Sequence, residues 1–169
     1  HIHFPSTPAS AKRLENMGEE SWRIHMVGDT HIDQIFLQRV TPLEELRKKY
    51  SLPESEPFIL VLQHSDSTDA NNSHHHMDAT LNAVTYLGLR SLLVYPCSDQ
   101  GFEGIINEIE KRRGMPGISI HQNIPANDFV GLQAHAACFV GNSSAGLIEA
   151  PYFNLPVVNV GDRQIGRER

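Results

Sequence analysis

The chain contains 169 residues, close to the ~150 that a single domain typically contains. Its 40% apolar and 20% charged residues are typical of a globular protein and exclude a disordered chain, a coiled coil and a collagen-like repeat. The 14 Lys and Arg residues against 20 Asp and Glu residues give a net charge of −6. Because binding to a phosphate backbone needs a clustered excess of Lys and Arg, this charge argues against a nucleic-acid partner.

The sequence contains no candidate membrane segment. Its longest uninterrupted apolar runs have five residues or fewer, whereas a membrane-spanning helix needs about 20, and no signal sequence opens the chain. We therefore expect a soluble, cytoplasmic protein without a membrane partner, in which Cys97 and Cys138 are buried free thiols rather than a disulfide. The chain starts without Met and ends after a Gly-rich turn, so we also expect it to be part of a longer protein.

In chain order, a polar stretch at residues 5–21 indicates a connector, and short apolar runs follow from residue 24. The runs have the length and the Val, Ile, Leu and Phe content of strands that are buried on both faces. They lie at residues 24–27, 58–62, 92–95, 118–121, 138–140 and 157–160.

Helical patterns separate these runs. The segment 41–44 reads Thr-Pro-Leu-Glu, a capping box with proline at the first helical position, and predicts a helix to about Tyr50. The spacing of Met77, Leu81 and Val84 predicts a helix that ends near Gly88, and further helices are predicted at 105–110, 128–136 and 144–153. Strands that alternate with helices in this way predict a Rossmann-like α/β domain, a parallel sheet with helices on both faces.

In such a sheet, ligands bind where strands end and helices begin, and the strongest candidate there is the serine loop, which we define as residues 141–146 (Gly-Asn-Ser-Ser-Ala-Gly). Glycine permits close approach of a ligand, and Ser143 and Ser144 supply hydroxyls ahead of a helix N-terminus, a combination that suits phosphate or diphosphate. Simple helix capping by either serine explains the same pattern equally well.

Three charged or titratable residues fall at the same edge, each with a structural alternative. His64 follows the run 58–62 and could meet an anion or act as acid or base; Glu149 could accept hydrogen bonds from a pair of hydroxyls, and Arg163 could hold an anion. A structural histidine, a solvated helix charge and an exposed arginine are the respective alternatives. No metal site is expected at His74, His75 and His76, since consecutive helical residues diverge by about 100°.

Five segments, taken in chain order, resemble the second half of the UDP-N-acetylglucosamine 2-epimerases, in particular the hydrolysing type. The resemblance spans nearly the whole chain, and its most specific parts are the serine loop and the Gly-Asp-Arg-Gln-x-Gly-Arg segment. The segments are Gly-Asp-Thr-His-Ile-Asp at 28–33, Gln-His at 63–64, Tyr-Pro-Cys-Ser-Asp at 95–99, residues 141–151, and residues 156–167.

The resemblance implies one lobe of a two-lobed GT-B-type fold, with residues 1–23 as the connector from a missing N-terminal lobe and residues 24–169 as the UDP-binding lobe. It implies that Ser143, Ser144 and Gly146 hold the diphosphate and that Glu149 binds the ribose hydroxyls. His64, our candidate catalytic residue, and Arg163 would meet the phosphates, and Phe129 is the candidate to face the uracil.

The implied reaction eliminates UDP from the sugar and then adds water, which releases N-acetylmannosamine for the synthesis of sialic-acid-like sugars. It needs no metal or nicotinamide cofactor, and we expect the full-length protein to be a homo-oligomer. The carboxylates that handle the C2 proton belong to the missing lobe, so this chain alone should be inactive. Cys97 stands where relatives usually carry asparagine, and Asn107 and Glu110 stand where some relatives carry feedback-inhibitor arginines. The donor lobe of a GT-B glycosyltransferase and a non-enzymatic α/β module are the alternatives.

Overall fold

The computed structural model describes residues 1–37 and 40–168. The chain divides into two compact units, His1–Gln38 with Gly166–Arg169, and Arg39–Ile165. We call them the N-terminal unit and the sheet unit. This division falls near residue 39, beyond the boundary expected after residue 23, and the assignment of residues 1–23 to a connector from another lobe stays a prediction.

The N-terminal unit contains two helices, α1 (Pro8–Asn16) and α2 (Thr30–Leu37). Helix α1 begins at a proline, and the Thr7 hydroxyl oxygen accepts a hydrogen bond from the Ser10 amide at 3.2 Å, which caps the helix. The strand predicted at residues 24–27 is wrong. Ile24 forms only an isolated bridge with His3, and Met26 and Val27 are more than half exposed, so this apolar run gains neither a ladder nor a covering helix.

The sheet unit is built on five parallel strands in the order β3-β2-β1-β4-β5. The other five predicted runs are therefore confirmed as strands. In the central strand β1, Leu60 pairs with Leu92 of β2 on one side and with Phe139 of β4 on the other. The strands are β1 (Phe58–Leu62), β2 (Arg90–Val94), β3 (Ile118–His121), β4 (Cys138–Gly141) and β5 (Val157–Asn159).

Helices cover both faces of the sheet, as predicted. Alternate side chains of β1 point to opposite faces, so Leu60 joins the cluster with α3, α6 and α7 while Ile59 joins the cluster with α4 and α5. The helices are α3 (Leu43–Tyr50), α4 (Ser73–Leu87), α5 (Phe102–Glu110), α6 (Ala126–His135) and α7 (Ala145–Ile148). Within residues 1–37 and 40–168, no helix is long and apolar enough to cross a membrane.

Two helix predictions need correction in detail. The capping box at residues 41–44 does not form: Pro42 occupies the N-cap position of α3, and the Thr41 hydroxyl donates to Asp128 instead. The helix expected over 144–153 is two short pieces, α7 and the 3₁₀ turn Ala150–Phe153. Pro151 explains this break, since proline has no amide hydrogen to continue an α-helix.

Asp128 joins α6 to α3 through a buried carboxylate, which is only 5% exposed. One oxygen accepts from the Thr41 hydroxyl at 2.6 Å, and the other accepts from Tyr50 at 2.6 Å and from Lys49 at 2.5 Å. Burial raises the pKa of Asp128, but the bonds from Lys49, Thr41 and Tyr50 outweigh it, so the pKa lies below its usual value. The buried carboxylate is thus stabilised in its charged form.

We expect Asp128→Ala to destabilise the sheet unit by about 2–4 kcal/mol, because the buried Tyr50 hydroxyl loses its partner. Since the folded-state pKa is depressed, this stabilisation is complete above the unfolded value of about 4 and is lost as pH falls through the folded pKa. Urea unfolding of the wild type and the variant at pH 7 and at pH 3 measures both effects. The exposed Glu45→Ala on α3 is the control, and equal unfolding free energies for the two variants at pH 7 would contradict the prediction.

Candidate functional site

The crevice at the carboxyl ends of β1 and β4 is the natural ligand site of this sheet. These two strands are adjacent in the sheet. The next strand on the β1 side of the pair is β2, and the next strand on the β4 side is β5. At such a switch point the two loops diverge and leave room for a ligand. The loops that meet there begin at Gln63, at Asn142 and at Val160.

Asn142, which is 5% exposed, connects the three loops. Its side-chain oxygen accepts from the His64 amide at 2.7 Å, and its side-chain nitrogen donates to the His64 carbonyl at 2.9 Å. Its own carbonyl accepts from Gln164 at 2.6 Å and from Arg163 at 3.4 Å. Asn142 is not among the site residues predicted from the sequence, although a polar residue directly after a buried strand was a signal for it.

His64 is held as a neutral donor. Its Nδ1 accepts a hydrogen bond from the Cys97 amide at 3.0 Å, and because an amide N–H can only donate, the proton of the neutral ring lies on Nε2. Burial and the nearby charge of Arg163 lower the pKa of His64 to about 4, against the opposing effect of Asp99. At neutral pH the ring therefore offers one N–H group and no positive charge.

Arg163 lies close to this histidine and brings a positive charge to the crevice. Its guanidinium donates to Asp99 at 3.2 Å as well as to Asn142, and its side chain is 26% exposed. Hydrogen bonds from Cys97 and then from Arg163 hold the pKa of Asp99 below its usual range. The structure thus brings Arg163, His64 and the start of the serine loop together, as the sequence predicted.

The serine loop keeps two free donors. The Ser143 hydroxyl oxygen accepts from the Ala145 amide at 3.3 Å, whereas Ser144, the N-cap residue of α7, makes no side-chain capping bond within the described part of the chain. Across residues 1–37 and 40–168, however, the amides of Ser143 and Ser144 find no hydrogen-bond acceptor. Since α7 has only four residues, its dipole contributes little, and an anion here would depend on these amides and on the hydroxyls.

Gly146 has a packing reason to be glycine. A Cβ atom at this position would lie 3.0 Å from a side-chain carbon of Val157 and 3.4 Å from one of Phe139, so even alanine would require these neighbours to shift by a few tenths of an ångström. Its amide already donates to the Ser143 carbonyl at 3.2 Å. A contact between Gly146 and a diphosphate stays a prediction.

Glu149 contacts α6, and Phe129 lies on α6 and packs against the core. The Glu149 carboxylate accepts a hydrogen bond from Gln133 at 2.7 Å, so it is not simply a solvated charge. Phe129 packs edge-on against Phe139 with ring centroids 6.5 Å apart and stays partly exposed. The roles of both residues in binding a nucleoside stay predictions. Gln133 is not among the residues predicted from the sequence.

A cavity of about 400 Å³ opens beside this arrangement. Of the residues predicted to bind the nucleotide, it is lined by His64 alone, and its other walls include Gln63, Ser73, Thr80 and Asp162. The cavity therefore adjoins the predicted diphosphate site at His64.

The two cysteines are free, but neither is fully buried as expected: Cys97 is exposed and Cys138 is partly buried. The Cys97 thiol lies 3.1 Å from Nδ1 of His64 and donates to Asp99 at 3.1 Å. Burial and then Asp99 raise the pKa of this thiol, so it is not an activated thiolate. Among the described residues, no group of three or more His, Cys, Asp or Glu side chains could hold a metal ion.

A five-stranded parallel sheet with a polar crevice at its switch point defines a Rossmann-like α/β protein, the class in which ligands bind at that crevice. The profile described as UDP-N-acetylglucosamine 2-epimerase matches residues 1–169, and the chain belongs to that family. The family indicated by the sequence motifs is thus confirmed.

Two curated relatives match over essentially the whole chain. The UDP-N-acetylglucosamine 2-epimerase of Neisseria meningitidis serogroup B is 32% identical over 167 residues, which is 99% of this chain and 44% of the relative. The UDP-N,N'-diacetylbacillosamine 2-epimerase (hydrolyzing) of Legionella pneumophila is 31% identical over 169 residues, 100% of this chain and 45% of the relative. The chain therefore spans less than half the length of the curated relatives it matches.

Solved structures agree on the fold. The S. aureus MnaA–UDP structure has a TM-score of 0.69 at 22% identity over 96% of this chain and 44% of its own. The Methanocaldococcus jannaschii UDP-GlcNAc 2-epimerase, in complex with UDP-GlcNAc and UDP, has a TM-score of 0.70 at 16% identity over 94% of this chain and 44% of its own. The fold prediction, a Rossmann-like lobe of a GT-B-type protein, is confirmed.

Proposed function

We propose that this chain is the nucleotide-binding half of a hydrolysing UDP-N-acetylglucosamine 2-epimerase. The observation that carries the proposal is that Asn142 of the serine loop hydrogen-bonds both the backbone of His64, whose ring is neutral, and the Arg163 guanidinium. In this proposal Ser143, Ser144 and Arg163 bind the diphosphate, Glu149 binds the ribose, and Phe129 faces the uracil.

The chemistry of the proposed reaction explains why these donors are grouped. When UDP is eliminated from C1 of the sugar, negative charge develops on the diphosphate oxygen that leaves. Donors that are already oriented toward that oxygen stabilise the transition state more than the ground state. The Nε2–H of His64 and the guanidinium of Arg163 are such donors, and the free amides of Ser143 and Ser144 add two more.

The sugar and the assembly are proposed at the level of the family. The names of the relatives include both an N-acetylglucosamine and an N,N'-diacetylbacillosamine nucleotide, and we propose UDP-N-acetylglucosamine as the substrate of the whole protein. Free thiols fit the reducing cytoplasm in which we place it. Its supply of precursors for sialic-acid-like sugars and its homo-oligomeric assembly stay predictions.

Calorimetric titration of the 169-residue chain with UDP tests the proposal directly. We expect binding in the micromolar to millimolar range, since only one lobe contacts the nucleotide. An absence of heat with a chain that melts cooperatively would overturn the proposal. For a full-length protein, release of UDP and N-acetylmannosamine without any acceptor would separate an epimerase from a glycosyltransferase.

The protonation state of His64 gives a second prediction. We expect His64→Ala to weaken UDP binding about tenfold, the loss of one hydrogen bond to a charged group. Because the pKa of His64 is lowered to about 4, the ratio of the two dissociation constants should stay constant from about pH 5.5 to pH 8, where an ordinary imidazole titrates. The ratio cancels the ionisation of UDP itself. A ratio that falls as pH rises through about 6.5 would mean that His64 binds as a cation.

A further inference from the structure

Gln133 on α6 makes a contact that the family motifs do not predict. Its side chain has no solvent exposure, and Nε2 donates to the Glu149 carboxylate at 2.7 Å. The orientation of the amide is fixed by this contact, because the opposite orientation would place an oxygen against a carboxylate. Oε1 is consequently buried without a hydrogen-bond partner among the described residues.

An amide buried in this way is unfavourable for folding, since one of its polar atoms has lost water and gained nothing. A methionine or leucine of similar size would avoid this penalty, and the neighbouring fully buried Leu132 is a side chain of that kind. What glutamine supplies and an apolar residue does not is a hydrogen bond to a charged oxygen. The contact therefore indicates that the glutamine serves to hold Glu149 and not to fill the core.

The placement of Gln133 on its helix supports this interpretation. Phe129 lies four residues before Gln133 on α6, so the two side chains share one face of the helix. The residue proposed to face the uracil is thus next to the residue that holds the carboxylate proposed to bind the ribose. The proposed uracil contact and the proposed ribose contact are therefore adjacent, as the base and the ribose are in a nucleoside.

We infer that Gln133 is a positioning residue for recognition of the ribose hydroxyls. By holding Oε2 of Glu149 it restricts a side chain with three rotatable bonds and leaves Oε1 to accept from the ligand. This restriction reduces the conformational entropy that is lost when the nucleotide binds. The inference rests on the proposed function, and it concerns selection of ribonucleotides over deoxyribonucleotides.

The experiment compares UDP with 2′-deoxy-UDP on the wild type, Gln133→Met, Glu149→Gln and Leu132→Met, all as 169-residue chains. We expect Gln133→Met to weaken UDP binding by about three- to tenfold, because the freed Glu149 side chain must then be ordered when the nucleotide binds, and to leave 2′-deoxy-UDP binding within about twofold. The preference for UDP should therefore shrink by the same factor. Leu132→Met, a substitution of similar size at a fully buried site on the same helix, should leave the preference unchanged.

The outcomes separate the inference from the proposed function. A melting temperature that is unchanged or raised in Gln133→Met, together with a reduced preference for UDP, supports a positioning role, because a merely structural glutamine would alter stability and not selectivity. A preference that Glu149→Gln abolishes and Gln133→Met retains overturns the inference alone. If the wild type binds neither nucleotide, both the inference and the proposed function are overturned.

Discussion

Replacement of Arg163 by alanine should weaken UDP binding by about 30- to 100-fold, the largest loss expected for any single side chain of the crevice. The guanidinium contacts both the Asn142 carbonyl and the Asp99 carboxylate. Its removal deletes a charge-assisted contact to the diphosphate. It also leaves the Asp99 carboxylate without its cationic partner close to the incoming phosphates, where like charges repel.

The repulsion from an uncompensated Asp99 can be tested separately from the lost contact to the diphosphate. Arg163→Ala combined with Asp99→Asn should recover part of the lost affinity, because the uncompensated carboxylate is then neutral. Arg163→Lys should fall between the wild type and Arg163→Ala, since lysine keeps the charge and loses the planar fork. Titration calorimetry of the four proteins with UDP measures the series, with Arg113→Ala in the turn after α5 as a control that should bind like the wild type. A loss below about threefold in Arg163→Ala would remove Arg163 from the proposed site.

Much of the fold follows from local sequence patterns. The five strands of the sheet were predictable because strands buried on both faces need a short, continuous apolar run between turn signals. The same rule failed at residues 24–27. A run can supply apolar side chains, but whether a neighbouring strand and a covering helix exist is a property of the tertiary structure. The capping box failed for a similar reason, since the Thr41 hydroxyl found a better acceptor in Asp128, 87 residues away.

The site was predictable in its side chains and not in its contacts. His64, Ser143 and Arg163 each follow a strand, and parallel strands bring their carboxyl ends to one edge, so their proximity is a consequence of the topology. The tautomer of His64, by contrast, depends on the backbone amide of Cys97, 33 residues away. A backbone donor has no signature in the sequence. The buried pairing of Gln133 with Glu149 likewise becomes visible only when α6 and the end of α7 are packed together.

The serine loop also depends on the residue that precedes it, and Gly141→Ala should destabilise the sheet unit by more than about 4 kcal/mol or prevent its folding. Gly141 ends β4 with φ of +143°, a conformation that residues with a side chain rarely adopt. A Cβ atom there would lie 2.0 Å from the carbonyl oxygen of Leu62, its partner in the β1–β4 register. Neither backbone can move freely, because both belong to central strands of the sheet.

Gly88→Ala is the matched control for this prediction. Gly88 also has a positive φ, +68° at the end of α4, but a Cβ atom there would meet nothing within 4 Å. Alanine at this position therefore costs only the free energy of adopting a left-handed conformation, about 1 kcal/mol. Denaturant unfolding followed by circular dichroism measures both variants, and unfolding free energies within about 1 kcal/mol of each other would contradict the steric argument. If Gly141→Ala folds at all, the displaced β4 should carry Asn142 away from His64, and UDP binding should be lost before the secondary structure is. The close approach of the two strands at Gly141 is therefore what places the serine loop beside the histidine.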